Sequence, residues 1–427
     1  MMVKLRMGDR FLYFVLLWCL CSYKVLLGGV GEAGWRVDDL LLAAAFVLLL
    51  LRGDLRRMPR SAALQAYLCF LAVNLISALW NGWRGRVPVL YGLLFTARLA
   101  EYLLFYAMGW VLCTRGAKLW SSFRWYFYAL CVVVPLQTVG VLKVASQFNA
   151  NRASGNTNGP YELAVVAAFF ICIFGYEERK KLSTLAAVLM MALTASRGTF
   201  AGTAMGYARR ALRQKGQRVR ALLLASALVL AALGASVWME HRTAGAADND
   251  ALGSRLQSGS QLTSVAEARL LWDAAPVYAN ENDYYAGTFL DAADYAVLSG
   301  GDVSGMIRVA RWATLLKTTL AHGDSMLIGL GPSFGSAAVD GYYVRVFIET
   351  GILGLAVFLW FLRRLWQAQA AGAAFQEFLL IVAVTGVFID VFASYKTMLL
   401  LWVWHGVNQA CACNVVKDAV KDESGHA

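Results

Sequence analysis

Charge is what this chain has least of. Acidic and basic side chains make up 15% of its 427 residues, whereas a soluble surface of that size needs roughly a quarter. With 59% hydrophobic residues and a mean hydropathy of +0.54, a soluble enzyme, a disordered chain and a disulfide-stapled secreted domain are excluded. The one large polar segment, 241–340, contains no cysteine. Elsewhere Cys19, Cys21, Cys69, Cys113, Cys131 and Cys172 lie in or beside apolar runs as small hydrophobes, and Cys411 and Cys413 lack the partner ligands of a metal site. The four histidines, His241, His322, His405 and His426, are dispersed, with no HxxxH or HExxH spacing. No metal and no cofactor are therefore expected. No aromatic-interleaved basic face accompanies the net charge of +12, so nucleic acid is not an expected partner.

What is present suits a bilayer. Glycine at 38 residues and tryptophan at 14 fit closely packed helices and interfacial aromatic belts. The basic residues cluster in short breaks between apolar runs: Arg52, Arg56, Arg57 and Arg60; Arg179, Lys180 and Lys181; Arg209, Arg210, Arg213, Lys215, Arg218 and Arg220; Arg363 and Arg364. This is the positive-inside pattern. Apolar runs cover 11–29, 37–51, 61–80, 87–112, 120–142, 161–175, 182–208, 219–239, 341–362, 375–392 and 396–413. The fold class expected is an all-α integral membrane protein, since helices satisfy their own backbone in lipid.

Both ends of 182–208 carry basic flanks, so one crossing helix cannot span it. A pair of half-length helices breaking near Ser196-Arg197-Gly198 resolves the conflict and places Arg197 on the floor of a cavity. The expected count is then about twelve segments with cytoplasmic termini. Residues 1–240 form an N-terminal bundle with the broken or re-entrant pair at 182–208. Residues 241–340 form an outer loop with short helices, and 341–427 the last spans and a cytoplasmic tail. The outer segment carries 11 acidic and 6 basic residues, the reverse of the whole chain. Helices are expected in it at 264–278 and 303–320.

Four polar constellations are candidates for chemistry. Arg152 opens a glycine–proline turn running to Glu162, whose alternative reading is a charge at a helix N-terminus. Arg197, between apolar and small residues, needs either an anionic ligand or an ion pair with Glu101 or Asp390. Arg308 and Arg311 are neighbours on one helical face with Trp312, where two guanidinium forks can clamp diphosphate oxygens and the indole can meet a sugar; solvated surface charge is the other reading. The fourth runs from Gly329-Leu-Gly331-Pro-Ser-Phe-Gly335 through Asp340, Tyr342, Tyr343, Arg345 and Glu349 to Gly354. Its glycines are a weak phosphate-loop signal without the GK[ST] ending. Asp340 is a base or a helix cap; Arg345 and Glu349, spaced i,i+4, bind substrate or neutralise each other; the tyrosines line the site or belong to the aromatic belt.

These pieces, RASGNTNGPYELA at 152–164, LTASRG at 193–198, Arg308xxxTrp312 and GLGPSFG…DGYYVRVFIETGILG at 329–354, in that order around a large outer loop, resemble the O-antigen polymerase and O-antigen ligase superfamily. The resemblance covers roughly residues 150–360. It implies a GT-C-like glycosyltransferase in the bacterial inner membrane, with its active site facing the periplasm. The donor and acceptor would be oligosaccharides on undecaprenyl pyrophosphate, and a polysaccharide chain-length regulator a further partner. It implies pyrophosphate contacts for Arg152, Arg197 and Arg308, and transfer without a metal. Arg311, Trp312, His322, Tyr342, Tyr343, Arg345 and Glu349 complete the expected site around a catalytic Asp340. The ligases carry histidine then asparagine nine residues before the glutamate that here is Glu349; this chain has Asp340-Gly341, which favours a polymerase. A ligase delivering glycan to lipid A–core and a non-enzymatic flippase of lipid-linked oligosaccharide are the alternatives.

Overall fold

The structure, a computed structural model, describes residues 5–23, 26–28, 35–142, 153–194, 196–213, 265–286, 303–335, 339–368 and 372–424. Apart from a two-stranded ribbon (Leu26–Gly28 with Trp35–Arg36), their regular secondary structure is helical. The first six helices are α1 (Met7–Cys21), α2 (Val37–Leu51), α3 (Asp54–Arg57), α4 (Ala62–Trp83), α5 (Val89–Thr114) and α6 (Leu119–Thr138). Then come α7 (Pro160–Cys172), running into a π-turn at Ile173–Glu177, α8 (Lys181–Leu193) and α9 (Arg197–Arg213). The polar segment contributes α10 (Val265–Ala274), α11 (Glu281–Ala286), α12 (Val303–Ala321) and α13 (Ser325–Ile328). The chain closes with α14 (Tyr342–Gln367), α15 (Ala373–Thr385) and α16 (Tyr395–Ser424).

The expected count of about twelve spans, and the GT-C-like architecture with it, is corrected here. Among the described residues four helices are long and apolar enough to cross a membrane: α4, α5, α6 and α14. The physical reason is length. About 20 residues are needed to cross about 30 Å of hydrocarbon, but α1 and α2 have 15 residues each, and α8 and α15 have 13. At helical rise these reach about 20–22 Å. Apolar runs of that size read as spans in sequence but end early in the fold. The run 219–239 lies outside the described residues. Several helices fit to cross a bilayer make this a multi-pass membrane protein.

The main core is continuous and aromatic. Tyr67, Phe358, Phe361 and Trp402 pack α4, α14 and α16 together, and Phe169, Phe378 and Trp404 do the same for α7, α15 and α16. A smaller cluster of Val87, Tyr284, Leu315, Leu330, Phe334, Val339 and Ile348 seats the polar segment on the bundle. Charges at the opposite end tie α1, α2, α3 and α5: Arg115 pairs with both Asp9 and Asp54, and Arg52 with Asp9 at 2.7 Å.

One kink shapes the site end. Gly351, at φ +66°, interrupts α14 and releases the carbonyls of Ile348 and Glu349, which accept from Leu330 N (2.7 Å) and Gly331 N (3.1 Å). A Cβ on Gly329 would lie 2.2 Å from the Glu349 carbonyl carbon. Gly329 therefore serves close backbone approach to the kink, while a Cβ on Gly331 would meet the Val87 side chain at 2.7 Å; this is the structural use of what resembled a phosphate loop.

Candidate functional site

The polar residues gather around the turn that leads into α14. Asp340 has φ +59°, a left-handed conformation that aspartate tolerates better than most residues. Asp390, fifty residues on, holds this turn. Its Oδ2 accepts from Val339 N (2.8 Å) and Asp340 N (3.2 Å), and its Oδ1 from Gly341 N (3.2 Å). Tyr342 N donates to the Gly386 carbonyl at 2.8 Å, so the turn is stitched to residues 386–390 from both ends.

Above the turn lies α12. Trp312 Nε1 donates to the Val339 carbonyl at 2.7 Å, and its ring covers Gly341 so closely that a Cβ there would lie 2.7 Å from the indole. One turn of helix brings Arg308 and Arg311 to the same carboxylate: Arg308 Nε lies 3.9 Å and Arg311 Nη1 3.4 Å from Asp340 Oδ2. Two guanidinium groups thus converge on one anionic oxygen in a half-exposed position, the arrangement that suits a phosphate. Arg308 Nε is buried and makes no hydrogen bond among the described residues.

Beneath the turn the chemistry differs. Arg345 Nε donates to Glu349 Oε1 at 3.1 Å and Arg345 Nη1 to Asp390 Oδ2 at 3.2 Å, with Arg345 and Glu349 only 2% and 4% exposed. Beside them is a cavity with room for about one water molecule, lined in part by Asn74, Phe95, Tyr342 and Arg345. Tyr342 is buried against Phe358 and Phe392, and Tyr343 Oη donates to the Ala383 carbonyl. Arg345, Glu349 and both tyrosines therefore stand as scaffold under the turn.

The remaining expected residues fall elsewhere. Arg197 opens α9; its side chain lies outside the described residues. Its neighbour Gly198 packs on Phe388, where a Cβ would meet the ring at 3.3 Å, so the start of α9 adjoins the 386–390 turn that holds Asp340. Arg152 lies outside the described residues. His322 is bonded to the Tyr278 carbonyl (3.2 Å) about 16 Å along α12 from Arg311. Glu162 is a structural knot: Oε1 accepts from Ser394 Oγ (2.6 Å) and Lys396 N (2.8 Å), and Oε2 from Asn158 N (2.9 Å).

Sequence reasoning missed two further carboxylates in the polar segment. Asp324 is gripped by Arg86 through both oxygens (2.7 and 3.0 Å) and by Trp80 Nε1 (2.8 Å). The Arg86 hydrogen bond holds its carboxyl well below the usual carboxylate range. Burial pushes Glu281 up to about 7, against the opposing hydrogen bonds of Tyr285 and Ser333. Neither pairing has a local signature, because Arg86 and Asp324 are 238 residues apart. Among the described residues no group of three or more histidine, cysteine or acidic side chains is placed to hold a metal ion.

No protein-family model, curated protein or solved structure matches the chain. The terms glycosyltransferase and O-antigen polymerase, which rested on the resemblance, find no support in any relative and are corrected to the membrane character that the four spans carry.

Proposed function

We propose that the Arg308–Arg311–Asp340 cluster binds the diphosphate of a lipid-linked glycan, and that the chain lengthens polysaccharide there. The growing glycan passes from its undecaprenyl pyrophosphate carrier to a hydroxyl of the acceptor sugar on a second lipid-linked unit. The observation that carries this reading is the convergence of two arginine side chains on one Asp340 oxygen, 3.4 and 3.9 Å away, beside the start of α9. In this reading the diphosphate displaces the Asp340 carboxylate from the arginines. The freed carboxylate takes the proton of the acceptor hydroxyl as its oxygen bonds to the anomeric carbon. The bond from that carbon to the diphosphate breaks, and Arg308 and Arg311 meet the charge that develops on the departing oxygens. Trp312, already over the turn, faces the first sugar.

Arg364 lies at the far end of α14 from Asp340, and Arg52 and Arg115 lie together at the α5 C-terminus. By the positive-inside rule the Asp340 end would face away from the cytoplasm, which for an undecaprenyl-linked substrate is the periplasmic side of a bacterial cytoplasmic membrane. A chain-length regulator is the protein partner this reading calls for.

The test is reconstitution of the purified chain in vesicles with lipid-linked repeat units on the Asp340 side. Glycan lengthening that survives chelation supports the proposal. Binding without lengthening overturns the transfer step, and movement of the substrate across the bilayer reassigns the protein as a transporter.

A further inference from the structure

A buried carboxyl group far from the Asp340 turn has no use in that reaction. Glu377, in the first turns of α15, is 1% exposed, and among the described residues neither of its oxygens has a hydrogen-bond partner. It sits at the seam between α9 and α15, which is built on glycines at i,i+4 spacing along α9. A Cβ on Gly198 would meet the Phe388 ring at 3.3 Å, and one on Gly202 would lie 2.7 Å from the Ile381 carbonyl oxygen. A Cβ on Gly206 would lie 2.9 Å from Glu377 Cγ and 3.4 Å from its carboxyl carbon. The glycine face lets the two helices touch backbone to backbone, and the Glu377 side chain is enclosed where they meet.

The charged and titratable groups on the packed elements are engaged elsewhere. On α9, Arg209 donates to Gln376 Oε1 (2.6 Å) and lies 4.3 Å from the Trp366 ring. Arg210 lies 3.9 Å from the ring of Tyr176 in the π-turn and donates to the Gly175 carbonyl. Tyr207 of α9 and Cys172 of α7 are buried, and His405 of α16 is bonded to Ser61 Oγ (3.1 Å). None of them hydrogen-bonds Glu377. An ionised carboxylate enclosed without a donor is far costlier than the neutral acid, so this pocket selects the acid form.

We propose that Glu377 is a proton-binding site in the α9–α15 seam, protonated while the seam is closed and releasing H⁺ to leave a carboxylate only when water reaches it. This does not depend on the proposed function. It also gives the seam chemical reactivity, because a hydrophobic carbodiimide attacks only the acid form. The acid proton passes to a carbodiimide nitrogen, the carboxyl oxygen bonds to the central carbon, and an oxygen-to-nitrogen acyl shift leaves a stable N-acylurea.

The test treats the full chain in lipid vesicles with dicyclohexylcarbodiimide and maps adducts by peptide mass spectrometry. The expected result is an adduct on Glu377 whose yield falls as pH rises, absent from Glu377→Gln, and not formed by a charged, water-soluble carbodiimide. Infrared spectra supply an independent measurement: the carbonyl band of a protonated carboxylic acid should be present in the native chain and reduced in E377Q. Labelling of the native chain needs no variant, so a folding defect in E377Q leaves the first measurement decisive. An unlabelled Glu377 where other carboxyls of the same chain react overturns the proposal. So does equal labelling by the water-soluble reagent, or an acid band that E377Q leaves unchanged.

Discussion

Two arginine–carboxylate clusters lie above and below the same turn and share residue types but differ in stoichiometry, spacing and exposure. Below it, Arg345 bridges Glu349 and Asp390 at 3.1 and 3.2 Å, with side chains 3–12% exposed. Above it, Arg308 and Arg311 reach Asp340 at 3.9 and 3.4 Å, with side chains 22–34% exposed. The first is enclosed and closely paired, so removing a partner strands a charge in a low-dielectric interior. The second is loose and reachable, so a stronger anion can take the carboxylate's place at modest cost. Distance and burial separate an enclosed ion pair from a reachable one where residue types do not.

The sharpest way to break that comparison is to delete one arginine from each cluster. Arg345→Leu should cost about 3–5 kcal/mol of stability because Glu349 and Asp390 lose their shared counter-charge. Arg308→Leu should cost about 1 kcal/mol or less. Denaturant unfolding in detergent micelles at fixed lipid content measures both. Equal losses would show that the two clusters are one structural network.

The next effect is on turnover. Arg308→Lys and Arg311→Lys keep the charge but replace a planar fork with a point charge. On the proposed reaction each should slow lengthening by about a hundred- to a thousandfold, comparable with removal of one oxyanion donor. The stability of both variants should stay close to that of the native chain. Initial rates at matched membrane levels check this, and near-native rates in both variants would remove the diphosphate clamp.

The polar segment should show two pH responses of opposite sign. Asp324 is held below its ordinary range by Arg86, so its contribution to stability is full above the unfolded carboxylate value of about 4 and is lost as pH falls below it. Glu281 is raised to about 7, so its contribution is full below about 4.3 and declines as pH rises toward neutrality. Limited proteolysis of the segment across this range should therefore find an optimum between the two limits. Glu281→Gln should remove the decline on the neutral side, and Asp324→Asn the loss on the acid side. A native profile that both variants reproduce would show that neither carboxyl governs the seating of the segment.

Much of this was legible in local pattern, and the failures share one cause. The interruption between Leu193 and Arg197 coincides with a charged Arg-Gly step in an apolar run, and a topology conflict pointed to the same place. The i,i+4 spacing of Arg345 and Glu349 held mutual neutralisation as one of its two readings. The span count failed because apolar composition does not report where a helix stops: α15 ends at Thr385, short of a crossing, and its continuation supplies Asp390. That aspartate, the residue that holds the turn, was legible only as a suggested counter-ion for Arg197. Among the described residues its partners are the Arg345 guanidinium and backbone N–H groups about fifty residues away, and the latter leave no trace in side-chain spacing. The glycines of 329–331 resembled a phosphate loop for a similar reason, since close approach to a phosphate and to a helix kink both require a missing Cβ.

The smallest effect is the most diagnostic of the comparison. On the proposed reaction Asp340 holds the place that the diphosphate would take and competes with it for both arginines. Asp340→Asn removes that competition while keeping the size of the side chain, and the Asp390 contacts that hold the turn reach only the backbone of residue 340. Folding stability should change by about 1 kcal/mol or less, the scale of an exposed ion pair. Inorganic pyrophosphate, measured by calorimetry on the full chain in micelles, should bind about two- to fivefold more tightly, the same energy expressed as affinity. The gain should disappear in D340N/R308L/R311L, because the groups released by D340N are then absent. Weaker binding in D340N alone would mean that Asp340 organises the arginines for the anion and does not compete with it, and the upper cluster would then belong with the scaffold below.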